Sequence, residues 1–378
     1  MAALEAFKVP AEGKGSVADA ARALCRGILE KGLAEALMAP MRLPDGIMVQ
    51  HVLTKDAASL EAMDILAPVM AVNGATLVAR LTRHEIPGQV AVVLRPCEIR
   101  AFMELVKLNQ GDRSRVLIIG MDCLGTMEPL EYREWALGVE SPGWQFFQAM
   151  IAQGSPPKGA PDIRTSCRAC EYPIPLGGDL ELMLVGSDSS EGLTVSPLTQ
   201  RGAEVLADLG AEKVEAQKYR EEAIARLVER RKAFRDELLG RVEKELLPLE
   251  SLLKELSRCI NCYNCRDVCP VCYCKSCVMD SSTMEHPSEQ YLRWVKRKSM
   301  VKMPVDTLFY HMTRMAHMST SCVGCGQCSS GCPMGIKVAE IFMAVSRRTQ
   351  RLLDYVPGRS LDEPIPLATF REEELEPR

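Results

Sequence analysis

The chain has 378 residues and a formal net charge of −4, so it lacks the basic footprint of a nucleic-acid binder, and aromatics at 5% leave few platforms for stacking bases. Its first residues, MAALEAFKVPAEGKG, show no basic segment followed by an apolar run and no twin arginine, and the longest weakly charged stretch, 65–79, is too short to span a bilayer. A soluble, cytoplasmic protein is expected, and sixteen cysteines in such a chain point to metal or redox chemistry rather than disulfides.

In chain order, Gly13, Lys14, Gly15 and Ser16 lead into a helix expected over 17–32, where Ala, Leu and Ile recur at three-to-four spacing until Gly32. Backbone N–H groups of such a loop can cradle a pyrophosphate at a helix N-terminus. The same four residues read equally as a flexible loop, and no GxGxxG fingerprint is present. Cys25 lies on the apolar face of this helix and reads as a core filler. A strand is expected over 47–53. Asn73-Gly74 reads as a plain turn or as a close backbone approach to a ring.

Strands expected over 90–94 and 116–120 each end in a cysteine: Arg95-Pro96-Cys97 after the first, Met121-Asp122-Cys123 after the second. A helix over 98–108 separates them, and a further strand is expected over 180–186, so the alternation indicates an α/β domain with a mixed sheet. Ligands of open α/β sheets bind beyond the carboxyl ends of the strands. Cys97 and Cys123 there, with the Cys167-x2-Cys170 pair, make four soft ligands, enough for one 4Fe-4S cluster. Arg95 either faces a flavin or cofactor phosphate or is a surface guanidinium.

Residues 201–256 are dense in Glu, Lys and Arg, with Phe234, Leu238, Val242 and Leu246 four apart. This reads as a helical linker with one apolar stripe packed on a partner surface or domain, ended or kinked by Pro248. Then the spacing becomes specific. Cys259-x2-Cys262-x2-Cys265-x3-Cys269-Pro270 returns as Cys322-x2-Cys325-x2-Cys328-x3-Cys332-Pro333. Each run suits a 4Fe-4S cube, the fourth cysteine reaching across to the neighbouring cluster. The pattern predicts one cluster on Cys259, Cys262, Cys265 and Cys332 and another on Cys322, Cys325, Cys328 and Cys269. Zinc also accepts C-x2-C pairs but rarely explains two triple-cysteine loops closed by Cys-Pro.

Cys272, Cys274 and Cys277 are left over: a small zinc site, free thiols or a substitute ligand, with no separate cluster expected. Histidines 286, 311 and 317 read as core or surface residues rather than ligands. Residues 293–302 form a basic patch that meets an acidic electron partner or is simply a solvated face. The expected organisation is an α/β domain over 1–200, the linker over 201–256, a small, loop-rich α+β dicluster ferredoxin-like domain over 257–345, and an extended arm over 346–378 that wraps a partner or is disordered.

The runs GKGSV (13–17), LRPCEIRAF (94–102), IIGMDC (118–123), CRAC (167–170) and GGDLELMLVG (177–186) resemble the coenzyme F420 hydrogenase/dehydrogenase beta subunit family. The appended ferredoxin module resembles its formate dehydrogenase branch. The resemblance implies that Cys97, Cys123, Cys167 and Cys170 hold a cluster beside an FAD, with Gly13, Lys14, Gly15, Ser16, Asn73 and Arg95 at the cofactor. The flavin of that family exchanges a hydride with the deazaflavin F420. A flavin is needed because iron–sulfur cubes move single electrons and cannot take a hydride. The expectation is therefore three 4Fe-4S clusters and one FAD in an electron-transfer subunit, partnered by a formate dehydrogenase, hydrogenase or heterodisulfide-reductase-type complex. The rival is a flavin-free polyferredoxin adaptor wiring two other enzymes.

Overall fold

A computed structural model describes residues 5–9, 16–84, 88–186, 192–215, 219–274, 276–284, 287–299 and 306–367. Eight strands among them form one mixed sheet: β1 (Ala6–Val9), β2 (Ala36–Arg42), β3 (Val49–Thr54), β4 (Val90–Leu94), β5 (Val116–Met121), β6 (Leu180–Met183), β7 (Leu193–Pro197) and β8 (Glu212–Val214). The spatial order is β3-β2-β4-β5-β6-β7-β1-β8. The central run β2-β4-β5-β6 is parallel, and the flanking pairs are antiparallel.

The parallel strands are apolar on both sides because both faces are covered. Ala91 and Val93 of β4 and Leu117, Ile119 and Met121 of β5 point into one core, with the helix Val17–Glu30 and Phe146 and Phe147. Val90, Val92 and Leu94, with Val116 and Ile118, point into a second core on the other face. There the helix Pro96–Lys107 packs with Ile99 and Phe102. That second core continues without a break into the cysteine-rich module through Leu252, Leu256, Cys259, Cys265, Tyr310 and Phe342.

β4 and β5 coincide with the expected strands almost to the residue. β2 was hidden by Pro40, which ordinarily argues against a strand. The parallel ladder to β4 uses only Ala36, Leu37 and Met38, so no N–H is required of Pro40 on that side. β8 pairs with β1 through Glu212, Lys213 and Val214, which extends the sheet past residue 200 into the stretch expected to be linker. The linker helix runs Arg220–Glu245, and Pro248 caps the next, Leu249–Leu256. Its stripe packs on the chain itself: Leu238, Leu239 and Val242 close against Ala169 and Ala344.

The helix Val338–Leu352 carries regular structure into the expected arm, so extended chain begins only after it. The described part of that arm is anchored on the helix Pro96–Lys107. Tyr355 Oη and the Gly358 N–H both donate to Glu104 Oε1, at 2.6 and 2.7 Å, and Arg100 Nε donates to Pro357 O at 2.9 Å. Residues 368–378 lie outside the described residues. Among the described residues no helix is long and apolar enough to cross a membrane.

Candidate iron–sulfur centres

β4 and β5 are parallel neighbours in register from Val90↔Val116 to Leu94↔Gly120, so their carboxyl ends emerge side by side. Cys97 sits in the first turn after β4, with Pro96 opening the helix, and Cys123 follows β5 by two residues. The short helix Thr165–Arg168 brings Cys167 and Cys170 to the same place. Burial pushes the Cys97 thiol well above its ordinary value, and the charges of Glu98, Cys123, Cys325 and Cys170 push it further. Burial raises Cys123 to about 11, with Cys167 and Cys170 acting in the same direction. Cys97 thus stands near Cys123 and Cys170, Cys123 near Cys167 and Cys170, and Cys325 of the second cysteine run near Cys97.

Behind Cys123 lies a buried ionic triad. Asp122 accepts the N–H groups of Leu184 (2.8 Å) and Val185 (2.9 Å), and Arg220 Nη1 donates to it at 2.6 Å. Arg220 Nη2 also pairs with Glu181. Two carboxyls share one guanidinium, and burial followed by the charge of Asp122 holds Glu181 up at about 7 against the pull of Arg220.

The two cysteine runs have the same local backbone. Asn261 (φ 53°) and Tyr263 (φ 59°) occupy the left-handed region where Gly324 (φ 71°) and Gly326 (φ 79°) stand in the second copy. A four-residue helix follows each at the same offset, Asn264–Asp267 and Gln327–Ser330. Cys259 feels Cys265, Cys262 and Cys332, whereas Cys325 feels Cys269 and Cys322, and Cys328 feels Cys269, Cys325 and Cys322. The charges that act on these thiols thus run across the two loops, from Cys332 onto Cys259 and from Cys269 onto Cys325 and Cys328. A Cβ on Gly326 would lie 2.0 Å from Ser166 Oγ, one residue before Cys167, so the second loop presses against the strand-end thiols. Cys170 and Cys322 line one small pocket of about 60 Å³. In the first loop Cys262 is exposed.

These thiols suit clusters better than they suit bare protons. Arg314, 5% exposed, donates from Nη1 to Cys265 Sγ at 3.2 Å and from Nη2 to Cys265 O at 3.0 Å. Among the described residues no carboxylate pairs with it; burial opposes its charge, and Cys265, Cys269, Tyr310 and Cys328 offset that. A buried cation requires anions, and cysteine supplies them as thiolates, the form that binds iron. No three His, Cys, Asp or Glu side chains among the described residues converge as a single metal ion requires. Cys272, Cys274 and Cys277 line an open cleft with Cys269, Arg80, Arg83 and Arg266.

The residues expected at a flavin are less united. Gly13, Lys14 and Gly15 lie outside the described residues. Ser16 caps the first helix and hydrogen-bonds Asp19 Oδ2 from both its backbone N–H (2.8 Å) and its hydroxyl (3.0 Å). Asn73 is fully buried; its Oδ1 caps the helix Gly74–Thr82, and its Nδ2 has no partner among the described residues. Arg95 is no surface residue: it is buried, donates to Ala67 O at 3.0 Å, and lines a small cavity of about 20 Å³ with Cys123, Phe146 and Phe147.

Sequence reasoning passed over Tyr310 and Arg314 and took His311 only as core or surface. Tyr310 Oη lies 3.2 Å from Cys265 Sγ and His311 Nε2 3.4 Å from Cys259 Sγ. His311 is indeed buried. The available signal was their spacing, one and four apart, which puts three polar groups on one side of an otherwise Met-rich helix, Asp306–Met318.

Repeated thiol loops, crossed in space and backed by a buried cation, define an iron–sulfur oxidoreductase subunit with a two-cluster ferredoxin-type module. Residues 255–336 match the family described as 4Fe-4S dicluster domain. The whole chain is similar to the F420-dependent formate dehydrogenase subunit beta of Methanocaldococcus jannaschii, 29% identical over 92% of this chain and 93% of that relative. It is likewise similar to the F420-dependent formate dehydrogenase 1 subunit beta of Methanococcus maripaludis, 28% identical over 94% of each. A chain of the F420-reducing [NiFe] hydrogenase complex from Methanosarcina barkeri is similar in structure with a TM-score of 0.46 and 15% identity, over 66% of this chain and 94% of that one. The two formate dehydrogenase relatives bear out the resemblance to the beta subunit family.

Proposed function

We propose that this chain is a flavin- and iron–sulfur-containing electron-transfer subunit of a cytoplasmic, multi-subunit oxidoreductase. It passes electrons between a hydride carrier, coenzyme F420 or a similar compound, and a partner of the formate dehydrogenase, hydrogenase or heterodisulfide reductase type. The observation that carries this reading is the serial adjacency of three thiol groups. Cys97, Cys123, Cys167 and Cys170 stand at the strand ends, Cys325 of the middle group neighbours Cys97, and the outer group ends at exposed Cys262. The ligand sets are Cys97, Cys123, Cys167 and Cys170; Cys322, Cys325, Cys328 and Cys269; and Cys259, Cys262, Cys265 and Cys332. The names of the relatives favour F420 as the carrier and formate dehydrogenase as the partner.

FAD, when bound, supplies the conversion between a two-electron hydride and single electrons. The chain's own contribution at that end is a pair of buried donors: Arg95 at the cavity it shares with Cys123, and the spare Asn73 Nδ2. The loop at Gly13, Lys14, Gly15 and Ser16 is assigned the cofactor's phosphates on the resemblance alone.

The test is iron and flavin content per chain after anaerobic purification, followed by F420 reduction. One flavin and about 12 irons, three cubes' worth, supports the converter. About 8 irons and no flavin replaces it with a flavin-free polyferredoxin adaptor.

A further inference from the structure

Three side chains of the helix Asp306–Met318 face the first cysteine loop. Tyr310 Oη and Arg314 Nη1 each lie 3.2 Å from Cys265 Sγ, and His311 Nε2 lies 3.4 Å from Cys259 Sγ. The second thiol group, Cys269, Cys322, Cys325 and Cys328, receives no side-chain hydrogen bond to sulfur among the described residues; backbone N–H groups serve Cys325 and Cys269 instead. The guanidinium charge is nonetheless shared between the groups. It acts most on Cys265, then on Cys269, and also on Cys328. The rings of Phe342 at 4.9 Å and Tyr310 at 5.7 Å enclose it, so little water intervenes to screen it.

We propose that Arg314 sets the redox order of the two C-terminal clusters. Hydrogen-bonded to a ligand of the first and acting on the second through charge alone, it raises the potential of the first above that of the second. This rests on the reading that both thiol groups hold 4Fe-4S cubes. Reducing a cube adds one electron and one negative charge, with no bond made or broken. A cation and N–H···S or O–H···S bonds stabilise the reduced state more than the oxidised one, and so raise the potential. The first cluster has the nearer cation and the side-chain bonds to sulfur, whereas the second has backbone N–H groups and the more distant charge. An electron arriving at the middle cluster is therefore drawn outward to the one beside exposed Cys262, where it waits for the partner.

The experiment is a potentiometric titration of the anaerobically purified full chain, followed by electron paramagnetic resonance, with iron counted on the same samples. The wild type is expected to show two separated C-terminal potentials. Arg314→Gln, with iron retained, is expected to lower the higher potential and narrow the separation, leaving the strand-end cluster where it was. Arg314→Lys keeps the charge and loses the planar fork, and is expected to narrow the separation by a smaller step. Coincident C-terminal potentials in the wild type overturn the proposal. So does a separation unchanged in both variants, or unchanged in the Lys variant if the Gln variant does not load iron. A wild-type chain without iron would overturn the cluster reading itself, and this proposal with it. A purely structural role for Arg314 would change stability and iron loading but not the separation.

Discussion

The two cysteine loops trace the same backbone with different residues, and the difference separates what the thiols demand from what the neighbours demand. Both copies hold two positions in the left-handed region. The second copy fills them with glycine. The first uses Asn261 and Tyr263, at a cost of about 1–2 kcal/mol for each such residue, less for Asn, which tolerates that region. Local contacts offset the cost: Thr307 Oγ1 donates to Asn261 Oδ1 at 2.9 Å, and Tyr263 packs on Tyr310 with ring centroids 4.8 Å apart. The shared φ pattern thus belongs to the thiol arrangement. Glycine is compelled only where the loop is crowded, which is at Gly326 against Ser166 and not at Gly324, where a Cβ meets nothing nearer than Met343 Cγ at 3.8 Å.

The comparison can be broken most severely at the thiols. Cys322→Ser and Cys259→Ser should each remove one cube, about four irons per chain. Iron analysis beside the visible spectrum checks it, and loss of both C-terminal clusters from either variant would show that the loops assemble as one unit. Gly326→Ala comes next. The new Cβ collides with Ser166 in a strained backbone region, and thermal unfolding should report a loss of at least ~2 kcal/mol.

Gly358→Ala reaches the second loop from a distance. Its Cβ would fall 2.3–2.7 Å from backbone atoms of Arg100, and Arg100 Nη1 donates to Val323 O at 3.3 Å inside that loop. Limited proteolysis should open the arm beyond Leu352 and speed oxidative loss of the second cluster before the first, with a stability cost of roughly 1–3 kcal/mol.

A pH dependence sharpens the contrast with the strand-end site. Glu181 is raised from an ordinary 4.5 to about 7, so its contribution to stability is fully present below pH 4.5 and is lost as pH rises through 7. Glu181→Gln should flatten the melting temperature across that window. A wild-type slope unchanged in the variant would assign the window to other groups. The smallest effect is expected for Gly324→Asn, within about 1 kcal/mol in the same melt, because asparagine is at home in this backbone region and space is open.

How much was legible follows from how local each signal is. The ferredoxin runs can be read within eleven residues each, and β4 and β5 announce themselves as apolar runs ending in cysteine. β1, β7 and β8 are three to five residues long, and β8 reads Glu-Lys-Val; they are strands because partners in the sheet accept them. Such pairing leaves no periodicity to find. The linker stripe was visible, but its partner, the helix Val338–Leu352, lies a hundred residues downstream. Arg314 shows the same limit: a lone arginine among methionines reads as surface until the fold encloses it. Arg95 was undecided for that reason too, and burial removed the surface alternative.

The second core runs from β4 through Leu256, Cys259 and Cys265 to Phe342 without a seam. Cys259 and Cys265 stand at that join, so whatever they ligate is held inside the core rather than at its edge. The same continuity makes the ferredoxin module a poor detachable cassette, because about half of the core it shares belongs to the α/β domain, its helices as much as its strands.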